Sequence, residues 1–431
     1  MLSFEALPVT KRVGGDPVDE VSFRTAETVA PGTMPGGGQT SYGEPISASE
    51  AAKLAEETKV AEPTSPLAAA ETAKALGPYP WILNPTIDLL FACGGAFWLA
   101  YLGLSLTNFG YGYDGNVTAQ CFFALSVIGL HIFGDGHQPA TLFRVYGSKI
   151  TRDAIGKPVA AIAFVALLAG LSTLLIPATT AFFIKLVLAW GFQHQLAQSY
   201  GIALIYCYKR KYIMNNIEKR IMKAMVDATM VFLIVRMFSM KDFGTFKLLG
   251  LYEVPFYAII PEWVCTVSLI ALQASVLVFV GMVVRKYVKE KALMPIPALL
   301  VIMTLTALPL IAGNQFALLY YYFSQWFFHS SQYLVVTSAF YFKEKGLPAN
   351  VSTHQIGKML LSKTSFLYFG IVFAVGFLLA FQLPMWMTEM GIANKAVCFL
   401  SIWVFLNVQH FWTDAFIWKL RDPVINKLLV S

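Results

Sequence analysis

Imidazole binds transition metals and moves protons near neutral pH. This chain of 431 residues has six histidines, and five of them fall inside long apolar stretches: His131, His137, His194, His329 and His410. The sixth, His354, lies in a basic polar segment where solvation accounts for it. Four of the five have a polar companion at helical spacing: His137 with Thr141, His194 with Gln198, His329 with Gln332 and His410 with Asp414. Residues three or four apart share a helix face. A ligating imidazole needs such a neighbour, because the second ring nitrogen is usually held by a carboxylate, amide or carbonyl that fixes the tautomer.

The expected metal set is therefore His137, His194, His329 and His410, with Asp414 available as a direct carboxylate ligand. Asp135, Thr141, Gln198 and Gln332 are the supporting polar groups. His131 is six residues from His137, about 240° around a helix, and is read as structural or pigment-like. The bland alternative is that each histidine is only an interhelical hydrogen-bonding group. Imidazoles with one or two carboxylates suit iron, copper or zinc, and the absence of converging thiolates disfavours an iron–sulfur cluster. In an apolar setting the chemistry that fits is non-haem iron and dioxygen acting on a lipid-soluble substrate such as a carotenoid or quinone. Chlorophyll or haem ligation in a photosynthetic or respiratory complex is the alternative.

The elements that must position these groups are membrane helices. The chain is 57% hydrophobic, 14% aromatic and 13% charged, with mean hydropathy +0.60. Soluble domains carry roughly 25% charge, so a soluble enzyme, a nucleic-acid-binding domain and a disordered scaffold are excluded as the main body. Ten apolar runs approach the ~20 residues that cross a bilayer, at about 86–107, 118–142, 158–179, 182–208, 222–238, 258–284, 294–313, 315–342, 365–386 and 396–418. The expected fold is all-α, a polytopic bundle of about ten transmembrane helices over 81–431.

Lys and Arg collect at 144–157, 209–223, 285–291, 343–363 and 419–427. By the positive-inside rule these segments face the cytoplasm, as do both termini, in a bacterial inner or photosynthetic membrane. The four metal-set histidines then lie on helices running the same way. Each is 7 to 15 residues from the next basic side chain, or about 10 to 22 Å from the basic boundary. One imidazole per helix reaches a similar layer.

Residues 1–80 carry six basic and eleven acidic groups and the run Pro35-Gly36-Gly37-Gly38. They read as a flexible acidic cytoplasmic tail, with Ser47 to Leu76 able to form a helix on partner subunits. The remaining net charge of the body suits lipid headgroups, so no nucleic-acid partner is needed. The five cysteines sit in or beside apolar runs with no CxxC pair and read as buried hydrophobes. Asp88 and Glu262 are the other charges within or beside spans. Asp88 is expected to pair with a basic loop residue, and Glu262 to stay wet at the outer interface.

The segment Trp81-Ile82-Leu83-Asn84-Pro85 followed by Asp88-Leu89-Leu90-Phe91, the motif His137-x-x-x-Thr141-x-x-Arg144-x-Tyr146, and the ending His410-x-x-x-Asp414-x-x-Ile417-Trp418-Lys419-x-Arg421-Asp422-Pro423 resemble a family of largely uncharacterised polytopic bacterial membrane proteins. Gln198-x-Tyr200-Gly201 and Phe328-His329 with Gln332-Tyr333 fit the same pattern. In arrangement the chain is also similar to the Brp/Blh-type carotene oxygenases, a resemblance that implies intramembrane histidines holding iron and oxidative cleavage of a lipid-soluble substrate. A transporter is the third reading, disfavoured because stretches such as Ala119 to Leu130 offer almost no polar path.

Overall fold

The computed structural model describes residues 81–106, 128–239, 247–248, 252–253, 258–311, 325–347, 352–418 and 429. The expected tail and its helix at Ser47 to Leu76 lie outside the described residues. The described part is helical, apart from a two-residue antiparallel pairing of Lys247–Leu248 with Tyr252–Glu253.

The helices follow the apolar runs closely. In chain order, α1 is a short turn Pro85–Ile87 that widens into a π-helical turn Asp88–Ala92, and α2 is Gly95–Leu106. Helix α3 is a π turn Leu130–Gly134 continued as Asp135–Tyr146; α4 is Lys149–Leu175, α5 Pro177–Lys209 and α6 Asn216–Ser239. Glu262–Glu290 is α7 and Ile296–Ile311 is α8. Helix α9 is a π turn Gln325–Ser330 continued as Ser331–Glu344, and α10 is Thr353–Leu360. Helix α11 runs Lys363–Phe377, then a π turn Leu378–Gln382, then Leu383–Glu389; α12 is Lys395–Ile417.

Local chemistry sets the ends. The Ser148 hydroxyl caps α4 and the Asn394 carboxamide caps α12, accepting from the Val397 amide at 3.0 Å. Ile176, preceding Pro177, leaves the helical region because the proline ring crowds it, and so separates α4 from α5.

Among the described residues, four helices are long and apolar enough to cross a membrane: Ile155–Leu175 within α4, α7, Lys363–Glu389 (α11) and α12. Their outward faces are greasy, as on α7 with Ile270, Leu277, Val278 and Val280 exposed. This is the composition of an integral membrane protein. Ten comparable spans are not supported by the described residues. The run 86–107 is not one helix, because Gly94 turns the chain at φ +86 between α1 and α2, where a Cβ would strike Thr304 and Phe328. Helix α6 carries Asp227 and Arg236, α5 carries a polar Gln/His segment, and the end of the expected span 294–313 lies outside the described residues. Residues 118–127 and 315–324, the starts of two expected spans, lie outside the described residues.

Four elements surround one centre. Helix α12 packs along α4 and also touches α5 and α3, while α9 packs on α3 and α1. Helix α3 is pressed against α11 where Gly376 lies on the Asp135 carbonyl, an approach that leaves no room for a Cβ. One position further along α3, Gly136 meets the Phe373 ring in the same manner. These contacts set the depth at which α3 presents His137.

Candidate metal centre

Helices α3, α5, α9 and α12 each contribute one imidazole to a single point. The metal-binding atoms of His137, His194, His329 and His410 all lie within 4.8 Å of one another. All four residues are buried, His410 completely. Ring centroids of His137 lie 4.2 Å from His410 and 4.7 Å from His329, and His194 is 4.6 Å from His410 and 5.0 Å from His329. The layer inferred from four separate helices is therefore one cluster.

The donor set fits a metal ion by what its nitrogens lack. Both ring nitrogens of His329 and Nε2 of His137 are buried without a hydrogen-bond partner among the described residues. Leaving such an atom unpaired costs about 1 to 3 kcal/mol. His194 Nε2 and His410 Nε2 face each other at 2.9 Å. Lone pairs arranged in this way are satisfied together by one cation at their centre.

The hydrogen bonds behind the cluster assign one tautomer. Tyr333 donates its hydroxyl to Asp414 Oδ1 at 2.7 Å, Thr141 Oγ1 is 2.6 Å from the Tyr333 hydroxyl, and His410 Nδ1 is 2.6 Å from Thr141 Oγ1. A carboxylate only accepts, so protons run one way: His410 Nδ1–H to Thr141, Thr141 to Tyr333, Tyr333 to Asp414. This ordering leaves the Nε2 lone pair of His410 aimed at the other imidazoles. Thr141 also reaches Asp414 Oδ1 at 3.3 Å.

Several expected partnerships are rearranged. Thr141 serves His410 across the bundle rather than His137 on its own helix. Asp414 lies beside the cluster, 3.7 Å from His194 Nε2 and 3.8 Å from His410 Nδ1, as the acceptor that ends the relay. Asp135 is not behind a cluster imidazole: it pairs with His131 at 2.7 Å, whose side chain is 46% exposed. Gln198 holds the His329 backbone carbonyl at 2.9 Å and Gln332 at 3.2 Å, and Gln332 donates to the Ala92 carbonyl at 2.7 Å. These amides fix the helix positions of α1, α5 and α9, and hold no imidazole nitrogen. Asp88 accepts from the Ile82, Leu83 and Asn84 amides and the Tyr206 hydroxyl, and its charge acts on Lys209 and Lys343 at the starts of two basic segments.

No family model, no curated protein and no solved structure matches this chain. Sequence reasoning overlooked Tyr333, whose ring lies 4.8 Å from that of His137 and 5.2 Å from that of His410. It stands four residues after His329, the spacing that served elsewhere, but its neighbour Gln332 took its place in the reading. Two of the four site helices also carry π turns: at Leu130–Gly134, just before His137, and at Gln325–Ser330, containing His329. Such turns shift the side-chain register and recur at functional sites, and nothing in residue type announces them.

A cavity of about 260 Å³ adjoins the cluster through His194, Tyr333 and Asp414, walled by Trp190, Phe411 and Trp418. The four cysteines among the described residues, Cys93, Cys207, Cys265 and Cys398, are free and buried away from the cluster's ligand set.

Proposed function

We propose that this protein is a membrane-embedded metal-dependent oxidoreductase of the oxygenase type, with His137, His194, His329 and His410 holding a transition metal, iron by preference. The observation that carries the reading is the convergence of four buried imidazoles, of which His137 Nε2 and both ring nitrogens of His329 have no hydrogen-bond partner among the described residues. Bound iron would supply redox chemistry with dioxygen. The chain's own residues do the rest. The Thr141–Tyr333–Asp414 relay holds His410 in one tautomer and gives the site a carboxylate to take a proton. The adjoining apolar cavity admits a lipid-soluble substrate and keeps bulk water from the centre.

The family resemblance read from the sequence and the likeness in arrangement to carotene oxygenases agree with this proposal. The basic segments favour cytoplasmic termini and a multi-span arrangement in a bacterial inner or photosynthetic membrane, with the acidic tail free to engage partner subunits. The pigment alternative fits the arrangement less well. A tetrapyrrole plane cannot pass between imidazole nitrogens 2.9 Å apart, such as those of His194 and His410.

Elemental analysis of the purified full-length protein tests the reading. About one transition-metal ion per chain is expected. The double variant His194→Ala/His329→Ala should lose it, whereas His131→Ala should keep it. Wild-type protein free of stoichiometric metal after reconstitution with ferrous iron, or a double variant that still binds it, would overturn the proposal.

A further inference from the structure

The cavity beside the cluster has a direction and a polarity. It follows one face of α5 from Trp190 to Ile205, 15 residues or about 22 Å of helix. With a volume of about 260 Å³ and a lining that recurs along one helix face, the cavity is an elongated slot, a shape that suits a linear chain. Gly201 and Ala197 provide the width, and a Cβ built on Gly201 meets nothing within 4 Å. Gln193 and Ala197 are exposed on the outer side of α5, so the slot opens laterally.

The polar groups along the slot favour a ligand that donates a hydrogen bond. Gln193 presents a carboxamide with no partner among the described residues. A carboxamide left unpaired beside an apolar ligand chain is costly. The atom of Gln198 that is 2.9 Å from the His329 carbonyl must be its nitrogen, because a carbonyl only accepts. With the Gln198 amide group spent on His329 and Gln332, Gln198 has only its unpartnered Oε1 left to offer. Asp414, also lining the slot, accepts from Tyr333 and as a carboxylate has further acceptor capacity.

We propose that this slot binds a lipid alcohol: one linear hydrocarbon chain, straight or isoprenoid, with its hydroxyl among Gln193, Gln198 and Asp414 and its tail along α5. The ligand's role as substrate rests on the metal-centre reading; its binding does not. Within that reading, the hydroxyl sits about one helical turn from His194, beside the proposed centre.

The test uses the full-length protein in lipid nanodiscs, labelled with a diazirine-bearing hexadecanol and mapped by peptide mass spectrometry. Label is expected on α5 and α12. Unlabelled hexadecanol or geranylgeraniol should compete, and their relative potency tells a straight chain from an isoprenoid one. Hexadecyl methyl ether, which cannot donate, should compete about tenfold less well, the scale of one hydrogen bond. Gly201→Leu should cut labelling about tenfold while metal content stays at the wild-type level, and Gln193→Leu should narrow the alcohol-to-ether preference.

Equal competition by the ether or by hexadecane, label spread over the outward face of α7, or undiminished labelling of Gly201→Leu would overturn the inference. Alcohol-selective labelling in a protein that binds no metal would support the slot and sink the metal-centre reading. Metal binding with unselective labelling would do the reverse.

Discussion

Tyr333→Phe removes one oxygen atom and should weaken a metal that Tyr333 does not touch. Its hydroxyl links Thr141, at 2.6 Å, to Asp414, at 2.7 Å, and Thr141 in turn holds His410 Nδ1 at 2.6 Å. Without it, Asp414 Oδ1 keeps only the longer 3.3 Å bond from Thr141. Thr141 can then turn its proton to the carboxylate, and the ordering that fixes the His410 tautomer loosens. Loss of a partner supporting a metal-bound imidazole costs about 10- to 100-fold in metal affinity, equivalent to about 1.4 to 2.7 kcal/mol. Exposing no new cavity larger than a hydroxyl, the variant should fold. Titration of the reconstituted protein with a chelator of known affinity, read by elemental analysis, gives the number. Tyr368→Phe is the matched control: it breaks a buried tyrosine–threonine bond of the same length, 2.6 Å to Thr337, away from the imidazoles, and should lower stability without changing metal affinity. Equal affinity for wild type and Tyr333→Phe, or equal losses in both variants, would refute the relay.

Two further predictions concern the frame. Lys286 is buried and gives its ammonium to both Glu218 oxygens, at 2.8 and 3.0 Å, and to the Ile213 carbonyl at 2.9 Å. Lys286→Met leaves the Glu218 carboxylate with only the Asn215 amide at 2.8 Å and no counter-charge and should cost about 3 kcal/mol, with Lys286→Met/Glu218→Met recovering much of it; reaction of the buried cysteines with a thiol dye on heating reports both. At the basic end of α9, beyond the expected span 315–342, burial and the neighbouring Lys209 push the Lys343 ammonium down to about 7, against the opposing pull of Asp88. A lysine depressed in the folded state is penalised while protonated, so stability should rise as pH goes from about 7 towards the ordinary value of 10.5. Lys343→Met should be more stable than wild type at pH 7 and flatten that rise; a wild-type melting profile that falls over this range would contradict the assignment.

Most helices were legible because apolar runs and their caps are local facts. The stop at Ile176–Pro177 and the cap at Asn394 can be read from a few residues. The break at Gly94 could not, since what makes glycine necessary there is Thr304 and Phe328 arriving from α8 and α9. The ten apolar runs outnumber the four helices that are long and apolar enough to span among the described residues, for a related reason. A window of apolar residues does not distinguish a lipid-facing helix from one, such as α5, that keeps its polar stripe inside the bundle.

The histidine set was legible from counting. Helical rise and the distance to the next basic residue put His137, His194, His329 and His410 in one layer, and depth along a helix is fixed by sequence alone. Rotation about each helix, and which helix lies beside which, are not. Those depend on packing and on the π turns before His137 and at His329, which re-aim side chains. Hence the sequence determined the composition and depth of the site, while only the tertiary structure decided that the imidazoles meet. It also reassigned the support: Thr141 to His410, Asp135 to His131, and Tyr333 to the place its helix neighbour Gln332 was expected to fill. A same-face companion is one turn away by geometry, but in a bundle the nearest acceptor to an inward-facing ring belongs to the helix across the core.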